Sequence, residues 1–100
     1  MATIKLSAAS WKTPQDAHRA LKEALAFPDY YGGNLDALHD CLTGLPQTDL
    51  MIANCAQASQ AMPEKWPGFL QVFMDSAHEN PRLRVSLFPG STDWDEIRGS

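Results

Sequence analysis

Two carboxylates and an imidazole lie within five residues of each other in the sequence, at Asp36, His39 and Asp40. Such groups serve as general acids and bases in enzymes and as ligands of divalent metal ions. A small metal-dependent enzyme is therefore one hypothesis for this chain. The sequence contains no G-x-S-x-G nucleophile motif, no P-loop, no H-E-x-x-H motif and no glycine-rich dinucleotide motif. We therefore predict that the chain is not an enzyme, needs no cofactor and has no catalytic or metal-binding residue.

The same carboxylates belong to a long acidic part of the chain. Residues 23–81 contain eight acidic residues and one basic residue, Lys65, which gives a formal charge of −7 in a chain whose total is −4. An acidic region of this kind favours encounter with a basic partner and repels the phosphates of DNA and RNA. The charge pattern alone therefore leaves two interpretations open, of which the first is a solvated acidic face that aids solubility. The second is a binding site for a basic protein partner; direct binding of nucleic acid is disfavoured.

Length and composition restrict the class of protein further. The chain has 100 residues, of which 44% are hydrophobic and 20% charged, as is typical of one soluble globular domain. No apolar run approaches the ~18 residues that would span a membrane, and the first ten residues do not resemble a secretion signal. Cys41 and Cys55 show no metal-ligand spacing. We therefore expect a cytoplasmic protein with reduced thiols, monomeric when free.

Seven helices and strands are predicted to position the acidic groups. Hydrophobic periodicity, capping residues and breaks give a strand at Thr3–Leu6, a helix from Thr13 to Phe27, a helix at Asn34–Thr43, a strand at Leu50–Ala53, a brief helix at Ala56–Met62, a helix from Pro67 to Asn80 and a strand at Arg82–Phe88. This alternation predicts a small α/β domain with a largely parallel sheet. The uninterrupted apolar run Leu50–Ala53 predicts a central strand or one that is covered on both faces.

The second predicted helix carries the acidic pair Asp36 and Asp40. Asn34 is a suitable N-cap for it, and Gly44 stands where a helix-ending glycine belongs. Residues four apart share one face of a helix, so both carboxylates should lie opposite the leucine stripe of this helix.

A second acidic pair, Asp75 and Glu79, repeats this spacing on the last predicted helix. If the two helices lie side by side, both pairs can face one partner. The loop before the second helix, Tyr30–Gly33, ends in two glycines, which permit positive φ and close approach by a partner. These three segments are the candidate binding surface.

The other histidines and the tryptophans are not predicted to bind anything. His18 and His78 lie in predicted helices without partners at ligand spacing. Trp11, Trp66 and Trp94 are interpreted as packing residues rather than as a stacking surface.

The twenty residues Leu25–Gly44 resemble the barstar family of ribonuclease inhibitors. They contain the gap-free pattern P-x-Y-Y-G-x-N-L-D-A-L-x-D-C-L-T-G, from Pro28 to Gly44, and a second match is the segment Leu70–Phe73. The resemblance covers residues 1–88, which we predict to be a barstar-like inhibitor domain. Residues 89–100 form a C-terminal tail that stays unassigned.

The resemblance implies a specific fold and mode of action. It implies a small three-stranded parallel sheet packed against about three to four helices. It also implies an acidic surface that plugs the basic active site of a ribonuclease. Asp40 would then be the carboxylate in the enzyme's phosphate-binding pocket, and Asp36 a second charged contact.

The resemblance extends to a larger set of partner-binding residues: Tyr30, Gly32, Asn34, Leu35, Asp36, Asp40, Thr43, Gly44, Val72, Asp75 and Glu79. The implied partner is a ribonuclease in a 1:1 complex. It is either the producing cell's own secreted enzyme or a ribonuclease toxin of competing cells, in which case the chain is an immunity protein. No contact with nucleic acid or a membrane is expected. A basic partner that is not a ribonuclease is the alternative.

His39 departs from the family pattern, because the best-known member has a tryptophan at this position. It directly precedes Asp40 on the helix expected to face the partner, so we add it to the predicted contacts. An imidazole titrates at about pH 6.5. Neighbouring carboxylates should favour its protonated form in the free protein, and a basic cleft should disfavour that form. Binding is therefore predicted to tighten as the pH rises.

Overall fold

Four helices and a three-stranded sheet make up the computed structural model, which describes residues 2–90. The order is β1 (Ala2–Ser7), α1 (Pro14–Leu25), α2 (Leu35–Thr43), β2 (Thr48–Ala53), α3 (Cys55–Ala61), α4 (Trp66–Glu79) and β3 (Leu83–Leu87). The predicted α/β fold is confirmed, and the predicted bounds differ by one or two residues, as is usual at element ends. Within residues 2–90, no helix is long and apolar enough to cross a membrane.

All three strands are parallel, in the order β1-β2-β3. The central position predicted for β2 is therefore confirmed. The two faces of β2 are not covered equally. Leu50 and Ile52 have no exposed surface, whereas Asp49 and Met51, on the opposite face, are only half-buried. The hydrophobic core includes side chains from the sheet face that carries Leu50 and Ile52.

The core lies between that sheet face and the helices. Trp11 and Trp66 are almost fully buried, with ring centroids 6.3 Å apart, and Phe69 and Phe73 extend the aromatic packing along α4. Burial of several aromatic side chains supplies much of the apolar area that stabilises a domain of this size. The packing role predicted for these two tryptophans is confirmed, and Trp94 lies outside the described residues.

α1 begins and ends at the signals present in the sequence. The Thr13 hydroxyl accepts a hydrogen bond from the backbone N–H of Asp16 at 3.3 Å, and the Asp16 carboxylate accepts one from the N–H of Thr13 at 3.1 Å. The chain leaves α1 through Ala26, whose φ of 54° is left-handed. This turn leads into the loop that precedes α2.

Candidate functional site

The start of α2 is fixed by a cap and by one glycine. Asn34 Oδ1 accepts a hydrogen bond from the N–H of Ala37 at 2.8 Å. Gly33, immediately before the cap, has a φ of +66°, a conformation that favours glycine. Gly32 does not have positive φ, so the conformational freedom predicted for both glycines is used only by Gly33.

The two faces of α2 differ as predicted. Leu38 and Leu42 have no exposed surface and belong to the core. Asp36 and Asp40 are exposed, and the Asp40 side chain keeps 86% of its surface accessible. The helix therefore buries its leucine stripe and presents both carboxylates to solvent.

α4 lies beside α2, which meets the condition for a shared acidic surface. A Cβ added to Gly68 would lie 2.8 Å from Leu35 Cδ1, so the α4 backbone closely approaches α2 at this point. Further along, His39 Nε2 donates a hydrogen bond to the carboxylate of Glu79. Asp75, one turn before Glu79, is also exposed.

Four carboxylates on two helices thus form what we call the acidic surface: Asp36, Asp40, Asp75 and Glu79. His39 is bonded within it, and its pKa is raised above the ordinary 6.5. The hydrogen bond to Glu79 is the largest cause; the charges of Glu79, Asp40 and Asp75 act in the same direction, and burial opposes them. The protonated form is favoured as predicted, but through Glu79 on another helix, which the sequence did not indicate.

A cleft of about 510 Å³ opens beside Asp40. Four predicted contacts are among its lining residues: Asp40 itself, Tyr30, Gly32 and Gly44. Tyr30 is 82% exposed, which is unusual for so large an aromatic side chain. Cys41 and Leu45 also line the cleft and were not predicted; their positions directly after Asp40 and Gly44 were the available signal. Apolar walls beside a carboxylate can receive a partner side chain that is both apolar and basic.

Four predicted contacts have their side chains engaged within the protein. The Asn34 side chain caps α2, and the Thr43 hydroxyl donates to two carbonyl oxygens of its own helix at 3.0 and 3.1 Å. Leu35 and Val72 are half-buried against the core. These four residues support the predicted binding surface from within. A partner can contact only the exposed part of each side chain.

A buried histidine lies beneath the loop that carries Tyr30. His18 is 6% exposed, its Nδ1 shares a 2.5 Å hydrogen bond with the Tyr31 hydroxyl, and its ring contacts Phe69. Burial lowers the pKa of His18 and raises the pKa of Tyr31 to about 12. The sequence showed no partner for His18 at ligand spacing, and the structure adds a hydrogen-bond partner, Tyr31, from the loop that follows α1.

Metal-binding geometry does not occur in the described part of the chain. Among residues 2–90, no group of three or more His, Cys, Asp or Glu side chains could hold a metal ion. His39 uses one ring nitrogen for Glu79, and its other nitrogen is 3.9 Å from an Asp40 oxygen. The metal-dependent enzyme hypothesis gains no support from this cluster.

Comparison with known proteins agrees with the resemblance found in residues 25–44. The family model described as "Barstar (barnase inhibitor)" matches residues 1–88. A Bacillus subtilis (strain 168) protein named "Putative ribonuclease inhibitor YrdF" is 43% identical over 65 residues, which are 62% of this chain and 70% of that protein. The fold, the motif and both matches lead to one conclusion. This chain belongs to the barstar family.

Proposed function

We propose that this protein inhibits a ribonuclease by covering the enzyme's basic active site with the acidic surface and the adjoining cleft. Family membership supports ribonuclease inhibition in general. The observation that carries the specific proposal is the position of Asp40, which is almost fully exposed on α2, borders the cleft and lies next to the His39–Glu79 contact.

The chemistry follows from what a ribonuclease binds. An enzyme that cleaves RNA holds phosphates with arginine and lysine side chains, and carboxylates can occupy the same positions through charge-assisted hydrogen bonds. Asp40 is the carboxylate that enters the phosphate-binding pocket in this proposal. Asp36, one turn earlier on the same face, and Asp75 and Glu79 on α4 meet the basic rim.

The cleft contributes contacts that charge alone does not provide. Tyr30 presents an exposed ring at one wall, and Gly32 and Gly44 allow close approach of a partner. Aromatic residues at the centre of an interface are frequent hot spots because they bury a large area with little loss of side-chain freedom. A side chain of the enzyme is thus held beside Asp40.

The finer features of the proposal follow from this mode of action. An inhibitor that plugs an active site acts in a 1:1 complex and needs no catalysis of its own. Its target is a secreted ribonuclease of the same cell or a toxin from competing cells, and the protein protects cytoplasmic RNA from it. His39, Asn34, Leu35, Thr43 and Val72 complete the proposed contact surface.

The test is a titration of RNA cleavage. Barnase, together with any ribonuclease captured by the immobilised protein from lysates, is incubated with increasing amounts of the inhibitor. Cleavage should fall linearly and vanish at one equivalent, and the inhibitor alone should cleave nothing. Capture of a basic protein that does not cleave RNA, with barnase fully active in excess inhibitor, would instead favour a non-ribonuclease partner.

A further inference from the structure

A buried asparagine at the end of α4 contacts the end of α2. Asn80 is 5% exposed, and its Nδ2 donates two hydrogen bonds, to the carbonyl oxygens of Leu42 and Leu45, each 3.1 Å long. Its Oδ1 accepts a hydrogen bond from the N–H of Arg82, also at 3.1 Å. Both donors of the amide are therefore used on a single neighbouring segment.

That segment is where α2 needs partners. The last carbonyls of a helix receive no N–H donor from within the helix, and a buried carbonyl without a donor destabilises the fold. The Leu42 carbonyl oxygen accepts a local hydrogen bond from the backbone N–H of Leu45 at 3.3 Å, and the bond from Asn80 connects the same oxygen to α4. Leu42 lies in the last turn of α2, two residues after Asp40, and Leu45 follows the C-cap and lines the cleft. The Asn80 amide thus ties the turn after Asp40 and one wall of the cleft to α4.

Asn80 differs from its neighbour Glu79, which also contacts α2. The Glu79–His39 contact is partly exposed and depends on a proton. A basic partner competes for the Glu79 carboxylate, because that carboxylate belongs to the acidic surface. The Asn80 side chain is buried and uncharged, and its bonds are buried or partly buried, so we expect them to persist when a partner binds and to depend little on salt.

We propose that Asn80 is the positioning residue of the acidic surface: it holds the C-terminal turn of α2 against α4 and thereby sets the separation of Asp40 from Asp75 and Glu79. Its role in binding rests on the proposed function, whereas the positioning itself rests on the contacts alone. A partner that meets both helices at once binds best when their spacing is fixed beforehand. Without Asn80, the turn keeps its local Leu45–Leu42 hydrogen bond but loses these two bonds to α4, so its position has to be fixed on binding, which weakens the complex.

The first experiment uses the free protein and needs no partner. Asn80→Ala should speed amide hydrogen exchange at residues 41–45 at least about fivefold relative to the parent, because local opening of this turn becomes easier. Asn80→Asp should do the same, since it keeps an acceptor for Arg82 and lacks both donors. Thr13→Ala is the matched control: it removes the cap of α1 and should speed exchange at the start of α1, leaving residues 41–45 at the parent rate.

The second experiment measures binding to barnase. Asn80→Ala should raise the dissociation rate constant about tenfold and change the association rate constant by less than about twofold. In an Asp40→Ala background the same substitution should have a smaller effect, because the positioned carboxylate is absent. Thr13→Ala should leave both rate constants unchanged.

Two results overturn the positioning role. One is exchange at residues 41–45 that is unchanged in both Asn80 variants. The other is an effect of Asn80→Ala on dissociation that equals that of Thr13→Ala or is undiminished without Asp40. If the parent does not bind barnase or any captured ribonuclease, the proposed function fails, and the exchange comparison alone decides whether Asn80 positions α2.

Discussion

The imidazole of His39 on α2 donates a hydrogen bond to the carboxylate of Glu79 on α4, forty residues further along the chain. The contact places a titratable group among the carboxylates of the acidic surface and links the two helices that carry them. Because the pKa of His39 is raised, the free protein holds this proton more firmly than the unfolded chain does. The charge of the acidic surface therefore depends on pH.

Binding to a basic ribonuclease should tighten as the pH rises from about 5.5 to 7.5. The arginine and lysine side chains of the active site repel a protonated imidazole, so complex formation expels the proton of His39. The affinity of the parent should rise more steeply over this range than that of His39→Gln, as measured by calorimetric titration against one ribonuclease. Equal slopes for the two proteins would show that His39 is not coupled to binding.

His39 and His18 should affect the stability of the free protein in opposite directions. The raised pKa of His39 gives stabilisation that is complete below its unfolded value of about 6.5 and is lost as the pH rises through the folded value. The lowered pKa of His18 means that the unfolded chain binds an extra proton in acid, so the free energy of unfolding falls as the pH drops below about 6.5.

Urea denaturation between about pH 5 and 8 separates the two effects. His18→Gln should flatten the loss of stability in acid, and His39→Gln should make that loss steeper than in the parent. Parallel profiles for the parent and both variants would contradict the assignments.

Association with the ribonuclease should slow as salt rises. The formal charge of −7 over residues 23–81 steers a basic partner, and the Debye length falls from ~10 Å at 0.1 M salt to ~3 Å at 1 M. Dissociation should change much less. Stopped-flow measurement of both rate constants over this range tests the prediction, which fails if the association rate constant does not depend on ionic strength.

Asn34→Ala should lower the free energy of unfolding by about 1 kcal/mol, the usual effect of losing an N-cap. The Asn34 side chain accepts the hydrogen bond of Ala37 N–H at 2.8 Å, so its first role is to hold the start of α2. Asn34→Asp is the control, because aspartate caps equally well. Urea denaturation of the three proteins measures the effect, and equal stability of Asn34→Ala and the parent would rule out the capping role.

The fold could be predicted from the sequence largely because its signals are local. Caps such as Thr13 and Asn34, together with the leucine stripe of α2, act within a few residues, so they could be recognised without knowledge of the tertiary structure. The unequal coverage of the two faces of β2 was not predicted, for a physical reason. The apolar run around Met51 is compatible with a central strand, and only the arrangement of the helices decides which face is covered.

The acidic surface could be predicted only in part. Exposure of Asp36 and Asp40 follows from helical periodicity. The contacts of His39 with Glu79, of His18 with Tyr31 and of Asn80 with α2 join separate elements. Nothing in the local sequence encodes them, because each depends on how two segments pack.

The most direct test of the account is the affinity of Asp40→Ala for the ribonuclease that the parent inhibits, measured beside Asp29→Ala and Glu64→Ala. All three substitutions remove one exposed carboxylate, but only Asp40 borders the cleft between the loop and α2. Asp40→Ala should weaken binding by at least about 2 kcal/mol, as expected for an interface hot spot, and the other two by less than about 1 kcal/mol. Equal effects of all three would mean diffuse charge attraction and would contradict insertion of Asp40 into the active site.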